Sequence, residues 1–108
     1  MMYLVDTVSV EPVKLGAYLE TLQLQALPLY TSAGAALEYC RTTATDLGEL
    51  VEVEVAWSFA DNAPWNDIRR TLVLDPRYYQ CAQALAALRT GGSRRFQRAA
   101  VGFDSTRP

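Results

Sequence analysis

Between Met2 and Val10 the side chains alternate, with Tyr3, Val5, Thr7 and Ser9 on one face and Leu4, Asp6, Val8 and Val10 on the other. That two-residue period predicts a strand. Glu11-Pro12 stops it, because proline has no N–H to give a ladder. From Val13 to about Tyr30 the period lengthens: Leu15, Leu19, Leu22, Ala26 and Leu29 recur at steps of three and four, with Tyr18 flanking the stripe. An amphipathic helix is predicted there, kinked or ended by Pro28. After Gly34 the alternation returns as Leu37, Tyr39, Arg41, Thr43 against Ala36, Glu38, Cys40, Thr42, which predicts a second strand.

Turn residues at 45–48 lead into the plainest strand of the chain, with Val51, Val53, Val55, Trp57 and Phe59 on one face and Leu50, Glu52, Glu54 and Ala56 on the other. The second and third strands should form a hairpin. With an even loop, Arg41 stands opposite Glu52 and Tyr39 opposite Glu54. Asp61, Asn62 and Pro64 then open a short helix carrying Trp65, Ile68 and Leu72, and Asp75-Pro76 restarts it with Asp75 as N-cap. Arg77 to Arg89 continues as a helix with Tyr78, Ala82, Leu85 and Leu88 on one stripe, and Gly91-Gly92 is a C-cap signal. Ser93 to Phe103 alternates weakly and predicts a fourth strand.

The order is β-α-β-β-α-β, a ferredoxin-like α+β fold in which helices cover one face of a four-stranded antiparallel sheet. Residues 1–103 make one domain and 104–108 a short tail. The other sheet face has no cover in one chain, although apolar residues occur on both faces of the first two strands. A second copy packed sheet to sheet would supply that cover.

Charge changes the picture in one respect. The 108 residues carry a formal charge of -2, too little positive field for a nucleic-acid backbone or an anionic membrane. Yet residues 1–67 hold nearly all the acids and residues 68–108 eight arginines, so the halves should attract each other. Arg94, Arg95 and Arg98 either bind an anion or pair with Glu38, Glu52 and Glu54. The second reading is preferred.

There is no histidine, which removes the usual neutral-pH acid/base and the commonest zinc and haem ligand. No metal and no cofactor is expected. Cys40 and Cys81 are too few for a disulfide scaffold and read as reduced, structural thiols. With no basic leader and no long apolar run, the chain reads as a cytoplasmic protein. Asp6, set among Leu4, Val8 and Val10, is the candidate base, and Tyr39 a candidate hydroxyl donor to a carbonyl or enolate oxygen. Tyr18, Leu22, Trp57, Phe59, Trp65 and Tyr78 are the candidate pocket lining, an aromatic wall for a flat hydrophobic small molecule. Each has a plain structural alternative as core filler, and Asp6 has one as the partner of an arginine on the fourth strand.

Several of these residues resemble the NIPSNAP-like branch of the dimeric α/β-barrel superfamily: Met2-Tyr3, Glu11-Pro12, Leu27-Pro28-Leu29, Val53, Val55, Trp57 and Phe59 in a V-x-V-x-W-x-F pattern, and Asp75-Pro76 ahead of Tyr78 and Tyr79. The resemblance implies a homodimer joined through its sheets, with one pocket per subunit between sheet and helices. Superfamily members include cofactor-free monooxygenases, polyketide cyclases, lactone isomerases, haem peroxidase relatives and ligand-sensing domains. The haem branch and histidine-base cyclases do not suit a chain without histidine. Quinone-forming monooxygenases have asparagine where this chain has Val53, and NIPSNAP-like chains usually have a basic residue where it has Asp6. The expectation is a cofactor-independent isomerase, cyclase or oxygenase acting on a hydrophobic oxygenated metabolite of polyketide or isoprenoid type. The alternative is a non-catalytic binding or assembly module using the same pocket.

Overall fold

The structure, a computed structural model, describes residues 1–43, 49–60 and 65–98. Strand β1 (Met2–Val10) is followed by one long helical run, then by strands β2 (Ala36–Thr42) and β3 (Val51–Phe59). The second crossover and β4 (Gly91–Arg98) complete the chain. The sheet is antiparallel in the order β2-β3-β1-β4, so the ferredoxin-like prediction holds. The predicted turn at 45–48, the helix opening at 61–64, the end of the fourth strand and the tail lie outside the described residues.

Leu4, Val8, Val10, Val53, Val55, Trp57 and Phe59 point from the sheet into the layer below the helices, where they meet Leu29, Ile68 and Leu72. Leu4, Val10 and Val53 are wholly buried, and each such side chain contributes about 1.5–3 kcal/mol relative to exposure. The two-residue period therefore does what it predicts: it sends one set of side chains into a single core.

The first helical run departs from the prediction in an informative way. It begins as a tight turn at Pro12–Lys14, continues as α1 (Leu15–Thr21), widens into a π turn at Leu22–Ala26, and resumes as α2 (Leu27–Ser32). Pro28 does not end it. A proline in a regular helix lacks the N–H for the carbonyl four residues back and its ring strikes that carbonyl. Here the ladder has already shifted, with Leu27 N–H donating to the Leu22 carbonyl five residues back, and Pro28 sits at the start of a new helical segment. The run ends at Gly34, whose φ of +105° suits a residue without Cβ, and Ala35 N–H closes back on the Tyr30 carbonyl at 3.0 Å.

Between β2 and β3 the hairpin register is not the predicted one. On the turn side of β2 the pairing is two residues off the predicted one, with Arg41 opposite Glu54 rather than Glu52 and Tyr39 opposite Ala56 rather than Glu54, and a bulge between Leu37 and Tyr39 shifts the rest of the strand by one place. Helix α3 (Trp65–Leu74) carries Ile68 and Leu72 inward as predicted. Helix α4 (Arg77–Leu88) starts one residue later than the N-cap assignment implied, with Pro76 at the cap position. Asp75 still caps it, its carboxylate accepting the Arg77 N–H at 2.9 Å and the Arg77 guanidinium. Gly91 and Gly92 do not cap α4. The chain is already extended at Arg89, and both glycines belong to β4.

The helix-free face is more polar than an uncovered apolar face would be. Tyr39 donates to Glu54 at 2.9 Å, Arg95 reaches the same carboxylate at 3.3 Å, Ser58 donates to Glu38, and the Arg41 guanidinium lies 4.0 Å from the centre of the Tyr39 ring. Val5 and Ala56 between them are already buried within one chain. The attraction between the acidic and basic halves is thus realised in part as Arg95 with Glu54.

Candidate functional site

A cleft of about 350 Å³ lies between the sheet and the helices. Its floor is Val8, Val55 and Trp57, its helical wall Tyr18, Leu22, Ala26 and Tyr30, and its far wall Tyr78, Cys81 and Leu85 of α4. The π turn builds the helical wall. Residues 18, 22, 26 and 30 of an uninterrupted α-helix would drift by about 120° over three turns, whereas one extra residue absorbed in the turn leaves them about 20° apart. Tyr18 and Tyr30 therefore face the same cavity. Tyr30 stacks on Trp57 with centroids 4.6 Å apart and planes 26° apart.

The polar end of the cleft is an ion pair. Asp6 on β1 stands opposite Arg94 on β4; Arg94 Nε donates to Asp6 Oδ1 at 2.7 Å and Nη2 to Oδ2 at 3.1 Å. The same Nη2 donates to Tyr30 Oη at 3.3 Å. Burial works against the Arg94 charge, but the hydrogen bonds and charge of Asp6 outweigh it and hold its pKa above the ordinary range. Arg94 therefore pairs with Asp6 and not with the glutamates of the second and third strands. Its guanidinium also lies 5.4 Å from the Trp65 ring centre, within reach of a cation–π contact.

Of the predicted residues, Asp6, Tyr18, Leu22, Trp57 and Tyr78 all line this cleft. Tyr39 does not: it sits on the opposite face of the sheet, bound to Glu54. That bond keeps its proton on, above the usual phenol range. Phe59 and Trp65 do not line it either. They form a separate cluster with Phe96, at centroid distances of 6.0 and 5.8 Å, and Trp65 meets the polar end of the site at the Arg94 guanidinium. Sequence reasoning missed Tyr30 and Arg89; its alternative for Asp6, a partner arginine on the fourth strand, is met by Arg94. The usable signal for Tyr30 was its four-residue spacing from Ala26 across Pro28.

Electrostatically the cleft favours a neutral or electron-rich oxygen over a second cation. Burial pushes the Tyr18 hydroxyl up to about 12 against a partial offset from Arg89, and burial likewise raises Tyr30. Both are hydrogen-bond donors at neutral pH and neither is a base. Tyr30 Oη accepts from Arg94, so its own hydrogen is left to point elsewhere. Burial also raises the thiols of Cys81, in the cleft wall, and Cys40, which slows their reaction at neutral pH. Because Tyr18 holds its proton more tightly folded than unfolded, its contribution to stability is complete below pH 10 and is lost as the pH rises toward 12. Ultraviolet titration should therefore show one phenolate forming only near pH 12, and Tyr18→Phe should remove that step and flatten the alkaline loss of stability.

No family model matches the sequence, and no curated protein is similar to it. Solved structures share the fold. A NIPSNAP domain protein from Burkholderia xenovorans is 19% identical and superposes with a TM-score of 0.78 over 96% of this chain and 99% of that one. A putative antibiotic biosynthesis monooxygenase from Nitrosomonas europaea is 12% identical, with a TM-score of 0.68 over 92% and 98%. SnoaB, a cofactor-independent oxygenase from Streptomyces nogalater, is 15% identical, with a TM-score of 0.58 over 91% of each chain. The chain thus has the ferredoxin-like fold of NIPSNAP domain proteins and of these monooxygenases. No helix among the described residues is long and apolar enough to cross a membrane.

Proposed function

We propose that this protein binds a flat, hydrophobic, oxygenated metabolite in the cleft and acts on it without a cofactor, as an isomerase, cyclase or oxygenase. One observation carries this reading: the Trp57–Tyr30 stack stands beside a guanidinium and two phenol donors, with a single carboxylate among them. A ring system would lie along the stack with its oxygen toward Tyr30 and Arg94. Removal of a proton next to that oxygen leaves negative charge on it, and the two donors stabilise that charge where it develops. Asp6 is the group in the cleft able to take the proton. The solved NIPSNAP structures agree with the fold, and the oxygenase SnoaB is an example of cofactor-free chemistry on it.

A second reading has its own observation. Both Asp6 oxygens are engaged by Arg94, which suits an ion pair that shapes a binding pocket without chemistry. Tyr30→Phe separates binding from fold, since it removes one hydroxyl and keeps the stack. Affinity for aryl ketones and phenols should fall up to about tenfold, the loss of one neutral hydrogen bond, with the melting temperature nearly unchanged. Exchange of the ketone α-hydrogens in deuterated water, lost in Asp6→Asn, supports catalysis. Binding with no exchange and no oxygen uptake assigns the protein to the binding module.

In the same reading two copies join through the helix-free face, burying Tyr3 and the Tyr39–Glu54–Arg95 network between the sheets. Light scattering at micromolar concentration should give twice the chain mass. A monomer at that concentration removes this part of the proposal.

A further inference from the structure

A second cavity of about 250 Å³ lies against the first, and its lining differs in kind. Leu19, Leu27 and Leu37 supply most of it, with Cys40 of β2 at one side. The two cavities share Leu22, Val55 and Trp57, so a few side chains are all that divides them. One of those side chains, Leu22, belongs to the π turn, and Trp57 presents its ring to both spaces. The first cavity has an ion pair and phenols; the second has no charged group in its lining. Together they make a site with a polar end and an apolar end.

The geometry points to a two-part ligand: an oxygenated ring held in the first cavity and a hydrocarbon chain running past Leu22 and Trp57 into the second. This rests on the proposed reading of the first cavity and extends it by naming the substrate class, an alkyl-substituted aromatic or alicyclic ketone or phenol. The occupant of the second cavity is the tail of the ligand in the first. Continuity is the reason: a separate ligand there would find only the Gln23 amide as a polar anchor among otherwise apolar walls, whereas a tail needs none. Chain length, then, sets affinity, and the ring oxygen sets orientation.

Alkyl phenyl ketones test this directly. Acetophenone, hexanophenone and decanophenone share one headgroup and differ only in chain, and binding is read from Trp57 fluorescence in a Trp65→Phe background. Each methylene taken into the second cavity should tighten binding about threefold to fourfold until the cavity is full. Tyr30→Phe should weaken all three ketones by the same factor. Cys40 gives an independent reading in the unaltered protein: decanophenone should slow its reaction with a thiol reagent, located by peptide mass, and acetophenone should not. Cys40→Phe fills the second cavity from an exposed position, and should abolish the chain-length dependence while sparing acetophenone.

Acetophenone binding with no gain along the series and no protection of Cys40 overturns the inference and leaves the first-cavity reading standing. Protection of Cys40 by decanophenone that Tyr30→Phe does not weaken means a tail-only ligand, and also overturns it. If no ketone binds, the reading of the first cavity fails and this inference fails with it.

Discussion

Trp57→Ala is expected to lose about 3–5 kcal/mol of stability, the range for emptying a buried indole site. Trp57 is 3% exposed, pairs with Leu4 of β1 and Leu37 of β2 across the sheet, and carries the Tyr30 ring on its face. Removing it opens the two cavities into one and leaves Tyr30 without its stack. The melting temperature, followed by circular dichroism, should fall by roughly 12 °C or more. Trp57→Phe should fall much less, because a smaller ring still meets Tyr30, and it should also weaken ketone binding. Core residue and ligand wall are therefore one role here. A melting temperature within a few degrees of the unaltered protein for Trp57→Ala would mean that the stack contributes little and that the site collapses without cost.

Gly92→Ala has the second largest expected effect, and it arises from a residue the periodicity marks only as a helix stop. A Cβ on Gly92 would lie 2.8 Å from Val8 Cγ1, 3.1 Å from the Thr7 carbonyl oxygen and 3.3 Å from Arg89 Nη1. Arg89 has a flexible end and can move. The Thr7 oxygen belongs to the ladder between β1 and β4 and cannot move without disturbing the adjacent Asp6–Arg94 pair. Overpacking of this kind costs about 1–3 kcal/mol. Val8→Ala in the same chain should restore part of the loss, since it removes the nearest atom, and the recovery measures the coupling between the two positions. No recovery would place the whole cost on the backbone of Thr7.

Much of the cleft could be read in the sequence, and each failure has its own cause. Asp6, Tyr18, Leu22 and Trp57 were legible because each lies on the inward face of its own element, a property of local period. Tyr39 was misplaced because it was chosen for its hydroxyl, although its expected place opposite Glu54 already set it on the helix-free face, where the structure has it bonded to Glu54. Phe59 and Trp65 were placed with Trp57 by aromatic character, yet they lie beyond the end of the cleft and pack on Phe96. Tyr30 was left out because an even helical period carries it away from Tyr18.

The order of elements, the strand faces of β1 and β3 and the α+β class were determined by the sequence alone, because alternation and helical spacing act between residues a few positions apart. Even the attraction between an acidic half and a basic half was visible there. Which arginine meets which acid was decided by the tertiary structure: Asp6 and Arg94 are 88 positions apart, and only the pairing of β1 with β4 brings them opposite. The bulge at β2 and the π turn before Pro28 belong to the same class. Each shifts every later side chain by one place, and the shift is set by what the packed sheet and helices accept, since burying a row of core side chains outweighs one irregular hydrogen bond.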